Sequence, residues 1–162
     1  MKKEKAILAA GCFWGVEELL REYPGIIETE VGYCGGKADE ALYTKVKTGS
    51  TNHAEAVLVT FDSELLSFEK LLQAFFKLHD PTTLNQQHND IGCQYRSAVF
   101  YFDDQQKLTA EKVKSEIDQS GVFKKPIVTQ IVPAQPFYSA EDYHQDYLRK
   151  NPGGYMCHIW RD

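Results

Sequence analysis

The chain has few cysteines, no long apolar run, no basic block and no internal repeat, and each absence removes a class of protein. Its four cysteines, Cys12, Cys34, Cys93 and Cys157, are scattered over 162 residues without a C-x-x-C pair. That spacing excludes a zinc knuckle, and cysteine this sparse is not a secreted disulfide scaffold. No apolar stretch approaches the ~20 residues of a membrane helix. A net charge of −5 with no cluster of Lys or Arg argues against a nucleic-acid surface. Without linkers or low-complexity tracts, the chain is expected to be one domain, 1–162. It is long enough to bury a core with no metal or disulfide staple.

What is there begins at the N-terminus. Met1-Lys2-Lys3-Glu4-Lys5, then Ala6 to Ala10, then Gly11-Cys12, has the outline of a lipoprotein export signal. The apolar core of five residues is too short for that, against the ~7–15 that such a signal needs. Val16, Leu19 and Leu20 then continue at helical spacing, with Glu17, Glu18, Arg21 and Glu22 on the other side. A cytoplasmic protein is expected. Cys12 therefore falls where a strand (Lys5–Ala10) turns into a helix, between Gly11 and Gly15. The first helical turn offers unpaired N–H groups and a positive dipole end, which favour a thiolate. The competing reading is a small, inert, buried cysteine. The position alone leaves both open.

Further along, Ile26–Tyr33 and His53–Phe61 alternate as strands, separated by a long Gly, Lys, Thr and Ser-rich loop over residues 32–52. Phe68, Leu71, Leu72, Phe75 and Phe76 mark an amphipathic helix from about Ser67 to His79, stopped at Asp80-Pro81. A polar stretch, 82–96, leads to a strand over Ser97–Phe102. Asp103 or Asp104 opens a charged helix that closes near Ser120-Gly121. Ile127–Val132 reads as a fifth strand. Ser139-Ala140-Glu141-Asp142 has the form of a capping box for a last helix running to about Lys150. Asn151-Pro152-Gly153-Gly154 breaks it and leaves a mobile tail over about 151–162. The pattern predicts an α+β fold: a two-layer mixed sheet with helices mainly on one side and a ferredoxin-like core.

Several residues in this frame carry chemistry. Glu55 shares a strand face with Val57, Val59 and Phe61; desolvated there, it would hold a proton near neutral pH, as a general acid must. A strand-end glutamate in solvent is the commoner outcome, and His53 is expected at the surface. Tyr33, Tyr43 and Tyr95 lie in or beside the two long loops, where phenolic hydroxyls serve either a substrate oxygen or packing. Asp90 sits in the tight turn Asn89-Asp90-Ile91-Gly92 and accepts either from a tyrosine or from its own backbone.

Taken together, Gly11-Cys12-Phe13-Trp14-Gly15-Val16-Glu17, Val31-Gly32-Tyr33, Tyr43, His53-Ala54-Glu55-Ala56-Val57 and His79-Asp80-Pro81-Thr82 form an ordered set. So do Asn89-Asp90-Ile91-Gly92-Cys93-Gln94-Tyr95-Arg96-Ser97, Phe137-Tyr138, Ala140-Glu141-Asp142-Tyr143-His144-Gln145 and Tyr147-Leu148. Nearly the whole chain thereby resembles the methionine sulfoxide reductase A family. The resemblance implies a reductase for the S epimer of methionine sulfoxide, free or in proteins, and so the repair of oxidised proteins. Cys12 matches the nucleophile, Phe13 and Trp14 the walls around the substrate methyl, and Glu55 the acid. Tyr43 and Tyr95 match hydroxyls that bind the sulfoxide oxygen, with Asp90 beside them. Cys12 would become a sulfenic acid, resolved by a second thiol to a disulfide and returned by an external dithiol. Thioredoxin is the expected partner and reductant, with no metal or organic cofactor, and a monomer is expected.

The second thiol is where the chain departs from the pattern, since Met156 separates Tyr155 from Cys157 in the tail. Cys157 is nonetheless the expected resolving residue, because redox cysteines favour accessible, mobile segments. Cys34 and Cys93, where the family more often has threonine, are the alternatives. Without the resemblance two other functions fit, one built on Cys12 and one on Phe13, Trp14 and the loop tyrosines. One is a cysteine hydrolase with His53, His144 or His158 as base; the other is an aromatic cage that only binds peptide side chains.

Overall fold

Lys3–Ala10, the stretch that mimics an export signal, is a strand (β1) at the middle of the sheet in the computed structural model. The structure describes residues 1–161; Asp162, the end of the expected tail, lies outside the described residues. After β1 come α1 (Phe13–Arg21), β2 (Ile26–Cys34), α2 (Tyr43–Val46), β3 (Ala54–Asp62) and α3 (Phe68–Phe75). Next are β4 (Gln86–Gln87), β5 (Asp90–Ile91), β6 (Ser97–Tyr101), α4 (Asp104–Ser120), β7 (Gln130–Pro133), β8 (Phe137–Ser139) and α5 (Tyr147–Lys150). Six strands form one mixed sheet in the order β7-β6-β1-β3-β2-β8, while β4 and β5 pair as a separate ribbon. Within the large sheet only β6 and β7 run parallel.

Alternation along the strands divides the core in two, as period-2 side chains require. Ala6, Leu8 and Ala10 of β1 join Val57, Val59 and Phe61 of β3 on one face, packed under Val16 and Leu20 of α1, Leu71, Leu72 and Phe75 of α3 and Val113 of α4. Ile7, Ala9, Cys34, Ala54, Ala56, Ala98 and Phe100 form the other face, with no helix residue among them. The helices thus lie mainly on one side. The fold is mixed α/β.

Sequence and structure differ where side chains take over backbone duties. The helix expected to reach His79 tightens after Phe75 into three-residue turns, and the His79 ring donates from Nδ1 to the Phe75 carbonyl. The strand expected from Ile127 starts only at Gln130, because the Ile127 and Val128 amides go to Asp118 and to the Pro81 carbonyl instead of the ladder. The last helix is broken. Ser139 belongs to β8 and donates to Glu30 rather than capping, a 3₁₀ turn covers Asp142–His144, and Asp146 takes a left-handed φ of 54° before α5. Glu17 explains that break. Expected on the outer side of α1, it is buried instead, where its carboxylate accepts from the Asp146 amide and the Thr29 hydroxyl, 2.8 Å each. By contrast α4 follows expectation: Asp103 accepts from the Gln106 amide at its start and Gly121 closes it at φ 77°.

Candidate active site

Gly11 makes the turn from β1 into α1 with φ 98°, and an added Cβ would meet Gln87 Cβ at 2.8 Å, so both backbone and space demand glycine. The turn leaves Cys12 at the N-cap position of α1, 7% exposed, with the free N–H groups of the first turn beside it. Two of those amides are used. Phe13 N–H donates to Glu55 Oε1 at 3.2 Å, and the Trp14 amide faces the Cys12 sulfur.

Glu55 reaches this point because β3 pairs antiparallel with both β1 and β2, placing Glu55 opposite Tyr33 on the helix-covered face. It is buried, which corrects the expectation of a solvent-facing carboxyl. Burial is the main cause that pushes its pKa up to about 8, with the nearby Asp90 adding and the Phe13 amide opposing. Cys12 is also pushed up, chiefly by burial and then by Glu55; the helix-end amide lowers it but does not prevail. Of the two states that the position left open, burial favours the thiol at rest. Below about pH 8 the resting site holds both protons.

Around this pair lies a cavity of about 290 Å³ lined by Cys12, Phe13, Trp14, Tyr43, Glu55, Asp90, Tyr95 and Tyr155. All seven pocket residues singled out in the sequence meet there. Trp14, Tyr43 and Tyr95 are braced from behind. The Trp14 indole stacks on Tyr147 at 3.9 Å between centroids and donates from Nε1 to His144 Nδ1 at 2.9 Å. Glu141 accepts from the Tyr33 hydroxyl at 2.8 Å and from the Tyr43 amide at 2.9 Å, which fixes the start of α2 and hence the Tyr43 ring. Tyr33 itself is fully buried and stands behind the cavity rather than in it. Tyr95 ends the 3₁₀ turn Cys93–Tyr95, held by the buried Gln94 amide on the Lys47 carbonyl at 3.0 Å. Burial raises the phenol pKa values of Tyr43 and Tyr95, with Glu55 adding, so both remain hydrogen-bond donors.

The remaining cysteines separate into near and far. Cys157 Sγ lies 3.6 Å from Asp90 Oδ2, at the cavity edge. Cys93 donates to the Thr51 carbonyl at 3.3 Å and lines no part of the cavity. Cys34 is buried on the opposite, helix-free face. His53, expected at the surface, is fully buried, its ring bonded to the Gly36 amide and the Lys37 carbonyl. Sequence reasoning missed Tyr155, whose hydroxyl donates to Asp90 at 3.2 Å, and the bracing roles of Glu141, His144 and Tyr147. The signal was present for the last three, since Glu141 and His144 lie in the matched segment Ala140–Gln145 and Tyr147 in the matched pair Tyr147-Leu148. Among the described residues no cluster of His, Cys, Asp and Glu is arranged to hold a metal ion, and no helix is long and apolar enough to cross a membrane.

A mixed sheet that sets a cysteine at a strand–helix turn, beside a buried protonated glutamate and under an aromatic wall, defines a thiol-chemistry class of α/β protein. The model of a family described as peptide methionine sulfoxide reductase matches residues 4–162. A peptide methionine sulfoxide reductase of Methanosarcina acetivorans is 51% identical over 158 residues, which cover 98% of this chain and 83% of that one. In structure, Mxr1 of Saccharomyces cerevisiae in reduced form superposes with a TM-score of 0.94 at 38% identity, covering 99% of this chain and 93% of that chain. Mxr1 in complex with Trx2 matches with a TM-score of 0.68 at 26% identity, covering 99% and 91%. The chain belongs to the peptide methionine sulfoxide reductase family.

Proposed function

We propose that this chain reduces methionine (S)-sulfoxide, free or in proteins, to methionine, and so repairs oxidised proteins. The observation that carries the reading is that Cys12 and a buried Glu55 open together into an aromatic cavity. A sulfoxide sulfur becomes electrophilic only when its oxygen is protonated or strongly hydrogen-bonded. Glu55 gives its proton to that oxygen while Tyr43 and Tyr95 donate to it, and Phe13 and Trp14 enclose the methyl group. Cys12 Sγ takes the oxygen, its thiol proton refills the Glu55 carboxyl, and methionine leaves. The product is a sulfenic acid on Cys12. The arrangement solves a difficulty of charge: two raised pKa values keep both groups neutral until the oxygen accepts the proton.

Asp90 contacts both Tyr155 and Cys157, which supports Cys157 as the thiol that condenses with the sulfenic acid and expels water. Cys34 would have to cross the sheet to do the same. A dithiol protein of the thioredoxin type then reduces the disulfide, as the complex of the related Mxr1 with Trx2 suggests. We take the chain to be a single catalytic domain acting as a monomer in the cytoplasm. Its tail, from about residue 151, moves during recycling, and the exposed Gly153 gives that segment freedom. The antiparallel order β6-β1-β3-β2 under α1 and α3 supports a ferredoxin-like core.

The hydrolase reading lacks a base, because among the described residues no histidine hydrogen-bonds Cys12; His53, His144 and His158 are engaged elsewhere. The test is methionine release from separated S and R sulfoxides with dithiothreitol. Turnover of the S epimer alone, abolished in Cys12→Ser, is expected. Turnover of neither epimer, or survival in the variant, would sink the proposal.

A further inference from the structure

His158, immediately after Cys157, is 1% exposed in a tail whose neighbours Tyr155, Met156 and Ile159 are exposed. Its ring is seated against the backbone on both sides of Cys12. An added Cβ at Gly11 would lie 3.3 Å from His158 Nε2, and one at Gly15 would overlap Nδ1. The two ring nitrogens have distinct tasks. Nε2 is 2.6 Å from the Ala10 carbonyl, which can only accept, so Nε2 carries the hydrogen. In the neutral ring Nδ1 is then a bare lone pair, and it lies 3.4 Å from Cys157 Sγ. The β1–α1 turn thus fixes the tautomer that faces the thiol.

We propose that His158 Nδ1 accepts the Cys157 proton in the step that closes the Cys12–Cys157 disulfide. The inference rests on Cys157 as the resolving thiol. As the proton moves to Nδ1, Cys157 Sγ attacks the Cys12 sulfur, the S–O bond breaks, and the hydroxyl leaves as water with the proton returned from the imidazole. Cys157 is oxidised, the Cys12 sulfur is reduced, and His158 ends neutral. A base is needed because burial, with Asp90 beside it, pushes the Cys157 thiol up to about 12, so the thiolate is scarce at neutral pH. Burial also holds His158 below its ordinary range, which keeps Nδ1 free. The titratable groups facing the ring are Cys157, His88, Asp90 and His79.

The experiment mixes one equivalent of methionine (S)-sulfoxide with the full chain and follows methionine release and disulfide closure separately by quenched flow. In His158→Gln, a burst of one methionine per chain reports that the fold and the Cys12 site survive. Closure at neutral pH is expected to slow about 10²-fold, the range of a general base, and added imidazole is expected to rescue His158→Ala. Unchanged closure, or a slowing of equal size at every pH with no rescue, would overturn the proposal. The wild type gives a test free of folding effects. Its closure rate should stay flat above the ordinary histidine range, whereas a tenfold rise per pH unit up to pH 9 would mean unassisted thiolate and overturn the idea. Cys157→Ser separates the two readings. If it still closes a disulfide, Cys157 is not the resolving thiol and both fall; if it does not, failure of the His158 variants counts against His158 alone.

Discussion

Cys12 and Cys34 make an instructive pair. Both are free, both are buried, and burial raises the thiol pKa of each. Yet only Cys12 opens onto a cavity with an acid and a helix-end amide beside it. Cys34 is packed on the helix-free face near Ile7, Ala54 and Phe100, and donates to the Gln135 carbonyl at 3.5 Å. Thiol acidity does not separate them. What separates them is an adjacent space for substrate and a second group able to deliver a proton into it.

The sharpest way to break this comparison is to move the chemistry between cysteines. Cys157→Ser is expected to lose thioredoxin-supported turnover while still releasing one methionine per chain. Cys34→Ser and Cys93→Ser should turn over as the wild type does. The reverse result would mean that Cys34 or Cys93, and not Cys157, resolves the sulfenic acid. Next in size is Glu55→Gln, expected to slow methionine release about 10²–10⁴-fold, as removal of a general acid does. In the wild type the same step should weaken as pH rises through about 8, where Glu55 loses its proton.

That substitution also carries a stability prediction of opposite sign. A carboxyl whose folded pKa is raised favours folding fully only below its unfolded value, and this contribution is lost as pH rises toward the folded value. The loss is about 1.4 kcal/mol for each pH unit crossed. Glu55→Gln should therefore melt higher than the wild type, with the gap wider at pH 8 than at pH 5. An equal gap at both pH values would mean that Glu55 is not held neutral. The smallest effect is that of Cys34→Ser on stability, a loss of about 1 kcal/mol from placing a hydroxyl in an apolar cluster, read by thermal melting.

Much of this was legible in the sequence, for identifiable reasons. Strands β2, β3 and β6 and helix α4 follow local rules of alternation and capping, and residues bound by local rules announce themselves. Cys12 was legible because a strand, a glycine and a helical stripe abut within a few residues. Glu55 was legible as an oddity but not as buried, since its burial depends on pairing with Tyr33 and on the Phe13 amide 42 residues away. His53 and Glu17 misled for the same reason: each is a polar residue that the fold buries by supplying distant partners. Such partners have no sequence period. The broken last helix belongs to this group, because the Asp146 amide answers to Glu17 rather than to its own turn.

The central position of β1 has a consequence for how the chain is made. Leu8 and Ile7 face opposite cores, so the strand is apolar on both sides, yet its partners β3 and β6 are encoded about 50 and 90 residues later. At roughly 5–20 residues per second of synthesis, the first strand waits several seconds for its second neighbour. During that wait it is an unpaired, sticky ribbon. Lys2 just before the strand, and Lys3, Glu4 and Lys5 in its less buried first part, resemble the head of an export signal and place charge next to the apolar residues Ala6–Ala10. Charges beside an apolar strand oppose edge-to-edge pairing between chains.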